Sequence, residues 1–327
     1  MAALSTTTTS FGDTLVEQDI SSIPDEPPDE LLYRHKAHLL ESVRNVWAHR
    51  EIIYTLAERD FKAQYKQASL GILWAVIGPV ATLILFVFVF SKIKSFGSEG
   101  QPYALFAFVG LLCWNFFSTS LGQGGQSLLN NKALMAKTQF PRECFPLETM
   151  GVQAINTTIS WVPLALLFVI FGRAPRFTTV YVPMLMVIEI VFAAGVCLAI
   201  SSIIVQMRDL MQVLPLITSL GLFATPVIWP FSKIPTSFHV AGGHHVIVGH
   251  HGHLVHHLVG GITINLQMVY GFFNPLGPII DQARETMLIG QAPNFALVGI
   301  AALGAACYLA LGYRIFKRLE ENFADIA

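Results

Sequence analysis

The sequence predicts an all-α, polytopic membrane protein: six transmembrane helices, an N-terminal interfacial helix, and outer re-entrant or gate helices. Three observations carry that prediction. Residues 72–91, ILWAVIGPVATLILFVFVFS, run for twenty residues without a charge. That length covers a ~30 Å hydrocarbon core at about 1.5 Å per helical residue. Further apolar runs follow at 103–121, 151–171, 180–205, 210–229 and 295–313. Only 13% of the 327 residues are charged and 53% are hydrophobic, with a mean hydropathy of +0.56; a soluble domain carries about 25% charged residues.

Taken in chain order, residues 1–48 read as a cytoplasmic unit. Residues 1–30, with PDEPPDE near their end, have the composition of a disordered tail, and 31–48 can form a polar helix. The start of the chain has no apolar signal-peptide core, so this tail is expected to stay in the cytoplasm. Residues 49–71 place Ile52, Leu56, Tyr65 and Ala68 at roughly helical spacing between charges. Such a helix can lie flat on the inner headgroups, and an ordinary cytoplasmic helix is the alternative.

Residues 72–317 form the six-span domain, with an inner loop at 122–150, an outer loop at 230–294 and a cytoplasmic C-terminus at 318–327. Of the 20 Lys and Arg, fourteen then fall inside and six outside, which follows the positive-inside rule and puts both termini in the cytoplasm. The run at 180–205 is long enough to tilt. Pro215 and Pro226 interrupt 210–229, so a kink or break is expected there. Residues 275–290 interleave Asp281, Arg284 and Glu285 with Ile279, Ile280 and Met287. Too polar to span, they fit a re-entrant or surface helix near the outer leaflet.

Several function classes are excluded. A net charge of −1 argues against a nucleic-acid partner. The chain has no GxxxxGK[ST] phosphate loop and no nucleophile–base arrangement, so it is read as neither an enzyme nor the holder of a cofactor. Cys113, Cys144, Cys197 and Cys307 form no CxxC pair, and three lie in apolar runs, as small core residues do. Glu189 is the ionisable residue within the span cores. A charge there is costly, so it is either bonded to a neighbouring helix or part of a gate. Residues 239–261 hold eight of the 11 histidines. If that stretch were helical, His253 with His257, or His250 with His253, could share a metal; its glycines argue for a loop, and His-rich composition alone fixes no geometry.

Five segments resemble the permeases of polysaccharide-export ABC transporters, the membrane subunits that export O-antigen, capsule or teichoic-acid chains. They are RDFKAQYKQASLGILWAVIGP at 59–79, NNKALMAKTQFPRECFP at 130–146, RDLMQVLPLI at 208–217 with TPVIWP at 225–230, NPLGPIIDQAR at 274–284, and FKRLEENFADIA at 316–327. The resemblance implies a homodimer with two separate ATP-binding subunits that carry ATP and Mg, a lipid-linked polysaccharide substrate, and a place in the inner membrane. It implies that 130–146 docks on the ATPase, with Phe140 as an apolar anchor beside Pro141, and Lys132, Lys137, Arg142 and Glu143 as polar contacts. Without it, the same loop is a basic segment obeying the positive-inside rule.

The resemblance also makes Phe106, Phe108, Trp114, Phe116, Phe117, Trp161 and Glu189 candidates for a conduit, since sugar C–H faces pack on aromatic rings. Aromatics at helical spacing also serve as packing or lipid-facing residues, and Trp74 and Tyr103 sit where an interfacial belt would put them. Asp281, Arg284 and Glu285 are implied members of an outer gate. Two alternatives stay open: an ABC permease for a drug or lipid amphiphile, and a metal-handling membrane protein using the outer histidines. The His-rich stretch is longer than the outer connection usual in the resembled family.

Overall fold

The computed structural model describes residues 44, 46–66, 68–90, 98–135, 141–236, 238–240, 244–250, 253–259 and 262–320, with backbone alone over 238–263. The expected tail and most of the polar helix at 31–48 lie outside the described residues. Helix α1 (Arg50–Lys66) buries only Ala57. It is held to the bundle through α5, Cys144–Ile170: the Tyr65 hydroxyl donates to Asn156 Oδ1 at 2.8 Å. A helix with one buried residue and charges around it makes an outrigger to the bundle, which suits an interfacial position.

Five helical stretches are long and apolar enough to cross a membrane: Gly71–Phe90, Tyr103–Asn130, Cys144–Ile170, Phe177–Gln206 and Phe295–Glu320. They contain α2 (Trp74–Phe90), α3 (Tyr103–Asn130), α5, α6 (Val182–Gln206) and α10 (Phe295–Glu320). Between α3 and α5 lies the single turn α4 (Lys132–Met135). The expected span at 210–229 is shorter than its sequence suggests: α7 is Leu210–Ala224, about 22 Å of helix. It stops because Thr225 precedes Pro226 and takes an extended conformation. Residues 225–230 continue as irregular backbone into a 3₁₀ turn at Phe231–Lys233, with Val227, Ile228 and Phe231 buried. Non-helical backbone at this depth is tolerated only where protein covers it.

The helix α3 is the hub. It packs against α2, α5, α6, α7 and a short helix, α9 (Leu276–Arg284). Leu105 to Trp114 are all buried. The closest helix pair is α6 with α10, where Gly195 and Gly312 face each other. Small residues at such a crossing let two backbones meet, which is how membrane helices gain dispersion contacts.

Two departures from expectation lie in the outer loop. First, the described residues within 238–264 form two antiparallel strand pairs: β1 (Phe238–Val240) pairs with β4 (Ile262–Ile264), and β2 (His244–His250) pairs with β3 (His253–Val259). The glycine content suggested a loop, but Val246, Ile247 and Val248 favour a strand through their branched side chains. The helical spacing that would let His253 share a metal with His257 or His250 therefore has no helix to act on. Among the described residues no group of three or more His, Cys, Asp or Glu could hold a metal ion. Second, 275–290 is neither a surface helix nor a single one. Helix α8 (Leu266–Phe273) and α9 form a hairpin through Asn274-Pro275, and a π-helical turn at Glu285–Ile289 runs on to Gly290, which ends it at φ +86°. Helix α9 is buried: Leu276, Ile279 and Ile280 all pack in the main core.

Candidate functional site

The buried face of α9 is built around Arg284, which is 2% exposed. Its Nε donates to the Phe106 carbonyl at 3.0 Å, its Nη1 to Pro226 O at 2.8 Å, and its Nη2 to Val227 O. The guanidinium also lies 3.6 Å over the Phe106 ring. Helix α3 admits it through Gly110, where any Cβ would collide with the Nη2 atom and approach Val227 O to 2.6 Å. One planar fork thus satisfies the carbonyls exposed by the break after α7, and it ties that break to α3 and α9. Tyr270 and Asn274 complete the joint: the Tyr270 hydroxyl donates to Ala224 O at 2.8 Å, and Asn274 Nδ2 to Thr225 Oγ1 at 2.9 Å.

The three outer-gate candidates therefore separate. Arg284 is an internal clamp. Asp281 and Glu285 instead line a polar cavity of about 300 Å³ with Glu99, Gln282 and Gln291. Gln282 spans that wall, donating to Asp281 Oδ2 at 2.9 Å and accepting from the Asn294 amide at 2.5 Å.

The aromatic candidates are mostly core. Phe106, Phe108, Trp114 and Phe116 are buried within the protomer and have little surface to offer a substrate. Trp114 fits against Gly221 of α7, where a Cβ would stand 2.8 Å from its ring. Phe117 and Trp161 are partly exposed, and Phe117 stacks on Phe192 at 5.0 Å and 3°. Tyr103 donates to Ile228 O at 3.3 Å, so it anchors the broken segment as well as marking an interface. Trp74 is 52% exposed, as a belt residue would be.

Glu189 is fully buried, and the polar group beside its carboxyl is the Cys113 thiol of α3, a weak donor. It borders an apolar cavity of about 20 Å³ with Cys113, Trp161 and Met287. Glu189→Met should raise stability by about 1–3 kcal/mol, because an apolar group of similar size removes a buried carboxyl that a single weak thiol donor cannot satisfy. Thermal unfolding in detergent checks this, and a loss of stability would mean that the carboxyl has a partner in the assembled protein.

At the end of the bundle that carries α1, the six docking candidates divide again. Lys137 and Phe140 lie outside the described residues. Lys132 and Pro141 are partly exposed. Glu143 is 3% exposed and receives Lys317 Nζ at 2.5 Å, while Arg142 Nη1 donates to Glu320 O at 2.9 Å. Lys317 also meets Glu320 at 2.7 Å. Beneath these bonds Leu128, Phe145, Leu198, Val205 and Phe316 form an apolar cluster. Arg142 and Glu143 therefore fasten the start of α5 to the end of α10; Glu143 is buried in doing so, and Arg142 stays partly exposed.

One feature escaped the sequence. Asn115, Ser118, Thr119, Gly122, Gln123, Gln126 and Asn130 recur at helical spacing along one side of α3, and all are partly or fully exposed. Toward α1 this side opens on a cavity of about 470 Å³ whose lining includes Gln123, Gln126, Asn130, Asn131, Thr149 and Asp60. Gln123 Oε1 accepts from Gln153 at 2.8 Å, and Asn156 bridges Gln153 (3.3 Å) to Tyr65 of α1. Arg59 Nε donates to Asp60 at 2.7 Å, and that bond raises the guanidinium above its ordinary pKa. The sequence run was cut at residue 121 by hydropathy, although i, i+4, i+8 from Asn115 already gives Thr119 and Gln123.

Residues 51–241 match the family described as ABC-2 type transporter. The chain belongs to the ABC-2 type transporter family. This ABC-2 chain is 29% identical over 196 residues to the O-antigen export system permease protein RfbA of Myxococcus xanthus, covering 60% of this chain and 75% of that protein. It is 23% identical over 278 residues to an RfbA protein of Klebsiella pneumoniae, covering 84% and 95%. It is also similar to the polysialic acid transport protein KpsM of Escherichia coli, at 19% over 268 residues, covering 80% and 91%. The family match takes in α1 to α7 and the clamped break, and the longer alignments span most of the multi-pass fold.

Proposed function

We propose that this chain is the transmembrane subunit of an ABC exporter that moves a lipid-linked polysaccharide across the inner membrane, powered by a separate ATPase. The observation that carries this is near full-length similarity to an O-antigen export permease, covering 84% of this chain and 95% of that protein. Similarity to a polysialic acid transport protein over 80% of the chain favours a glycan over a drug or lipid amphiphile.

The working unit is a homodimer with two ATP-binding subunits, and both termini of each chain are cytoplasmic. ATP and Mg reside on the partner. Lys132, Lys137, Phe140 and Pro141 meet the ATPase. Arg142 and Glu143 stand behind them and transmit the partner's movement, because their bonds to Glu320 and Lys317 make α5 and α10 move as one. At the opposite end the α8–α9 hairpin, with Asp281 and Glu285 on its polar wall, serves as the outer gate.

Depleting the protein should cause a long lipid-linked glycan to accumulate in the inner membrane and disappear from the surface. Extraction of lipid-linked saccharides measures the first, and surface staining the second. An unchanged glycan pool with intact surface glycan would overturn the polysaccharide reading.

A further inference from the structure

The exposed side of α3 ends in amides that the bundle does not use. Asn115 lies twelve residues into the 28-residue helix, about 18 Å along an element about 42 Å long. Its side chain is partly exposed and has no hydrogen-bond partner among the described residues. A polar group at that depth does not face hydrocarbon; it faces water, protein or a substrate. Nearer to α1 three amides are held at one end and open at the other. Gln126 Nε2 donates to Gly122 O at 3.2 Å and Asn131 Nδ2 to Ser127 O at 3.0 Å, which leaves both side-chain carbonyls open. Gln123 accepts from Gln153 and keeps its NH₂ open. Asn130 is exposed, with neither end of its amide engaged among the described residues. The cavity they border, at about 470 Å³, exceeds the ~30 Å³ share of a single water more than tenfold.

We propose that this side of α3 is a saccharide-binding track, in which Asn115, Gln123, Gln126, Asn130 and Asn131 hydrogen-bond the hydroxyls of neutral sugar residues. The inference rests on the exporter reading and names where the glycan is held. Amides match hydroxyls because each offers both a donor and an acceptor. The lining does not suit a phosphate: its charged group is Asp60, already neutralised by Arg59. The sugar portion of a lipid-linked glycan therefore sits here, and its phosphate linker elsewhere. The track is open toward α1 and shut toward the other end, since Phe108, Leu111 and Leu112 continue the same side of α3 and are buried. A glycan can thus load before the far half of the helix is uncovered.

The test uses the full transporter in cells that make its own glycan. Asn115→Leu with Gln126→Leu, placed together in a chain that reaches the membrane at the normal level, should lower surface glycan roughly tenfold, the loss expected for two hydrogen bonds. Independently, p-benzoyl-phenylalanine in place of Asn130 should, on irradiation, cross-link to material that stains with periodate reagents. The same probe in place of Phe88, 78% exposed on α2, should not. The cross-link decides the question if the double variant accumulates poorly. Export at the normal level by the double variant, or cross-linking of Asn130 only to a second copy of this chain, would overturn the track. Neither result touches the exporter reading, which fails separately if removing the whole chain leaves surface glycan unchanged.

Discussion

Arg284→Ala is expected to destabilise the protein by about 3 kcal/mol or more and to abolish export. The substitution strands the carbonyls of Pro226 and Val227, which have no other donor among the described residues, and takes from Phe106 O the bond it holds beyond its own helix. Each stranded buried acceptor costs about 1–3 kcal/mol. The damage should spread, because the same side chain joins α3, the break after α7 and α9. Arg284→Lys keeps the charge but not the fork, so it should recover only part of the loss. Gly110→Ala offers an independent test: its Cβ would meet the guanidinium and stand 2.6 Å from Val227 O, pushing the clamp apart without removing it. Thermal unfolding in mild detergent reads all three variants. A normal transition for both Arg284→Ala and Gly110→Ala would show that the clamp does not hold this joint.

The clamp also shows what the sequence could and could not disclose. The long spans were legible because an uncharged run of about twenty residues has few other uses. The break at Pro226 was legible because proline restricts the residue before it. The burial of α9 was not. Asp281, Arg284 and Glu285 in a short helix fit a re-entrant or a surface helix alike, and only the backbone carbonyls of a distant segment explain why Arg284 points inward. Those carbonyls belong to every residue type, so they leave no mark in composition. The aromatic candidates illustrate a different limit: hydropathy marks Phe106 and Phe108 as membrane residues but cannot separate core, lipid and conduit. Hydropathy likewise hid the polar side of α3, since averaging over a window dilutes one side of a helix with the other. Arg142 and Glu143 read as polar contacts for an ATPase because their partners within the chain, Glu320 and Lys317, lie nearly the whole domain away in sequence.

Gly312→Leu should prevent the chain from folding into a single species. Helices α6 and α10 meet so closely at Gly195 and Gly312 that a Cβ on Gly312 would overlap the Gly195 carbonyl oxygen and stand 2.7 Å from its carbon. Both obstructing atoms are backbone, so no rotamer change relieves the contact and the two helices must separate. In hydrocarbon the pair is held by close packing and not by a hydrophobic drive, so separation removes most of what joins them. Overpacking typically costs about 1–3 kcal/mol, and a backbone obstruction belongs at or above the top of that range. Gly195→Leu should behave alike, since its Cβ would approach Leu309 N to 2.5 Å. Gly299→Leu on the same helix should be tolerated, because nothing lies within 4 Å of its Cβ position. Size-exclusion of fluorescently tagged protein distinguishes them: one sharp peak for Gly299→Leu, and aggregation or loss for the other two. A sharp peak and normal unfolding temperature for Gly312→Leu would mean that α6 and α10 do not cross at these glycines.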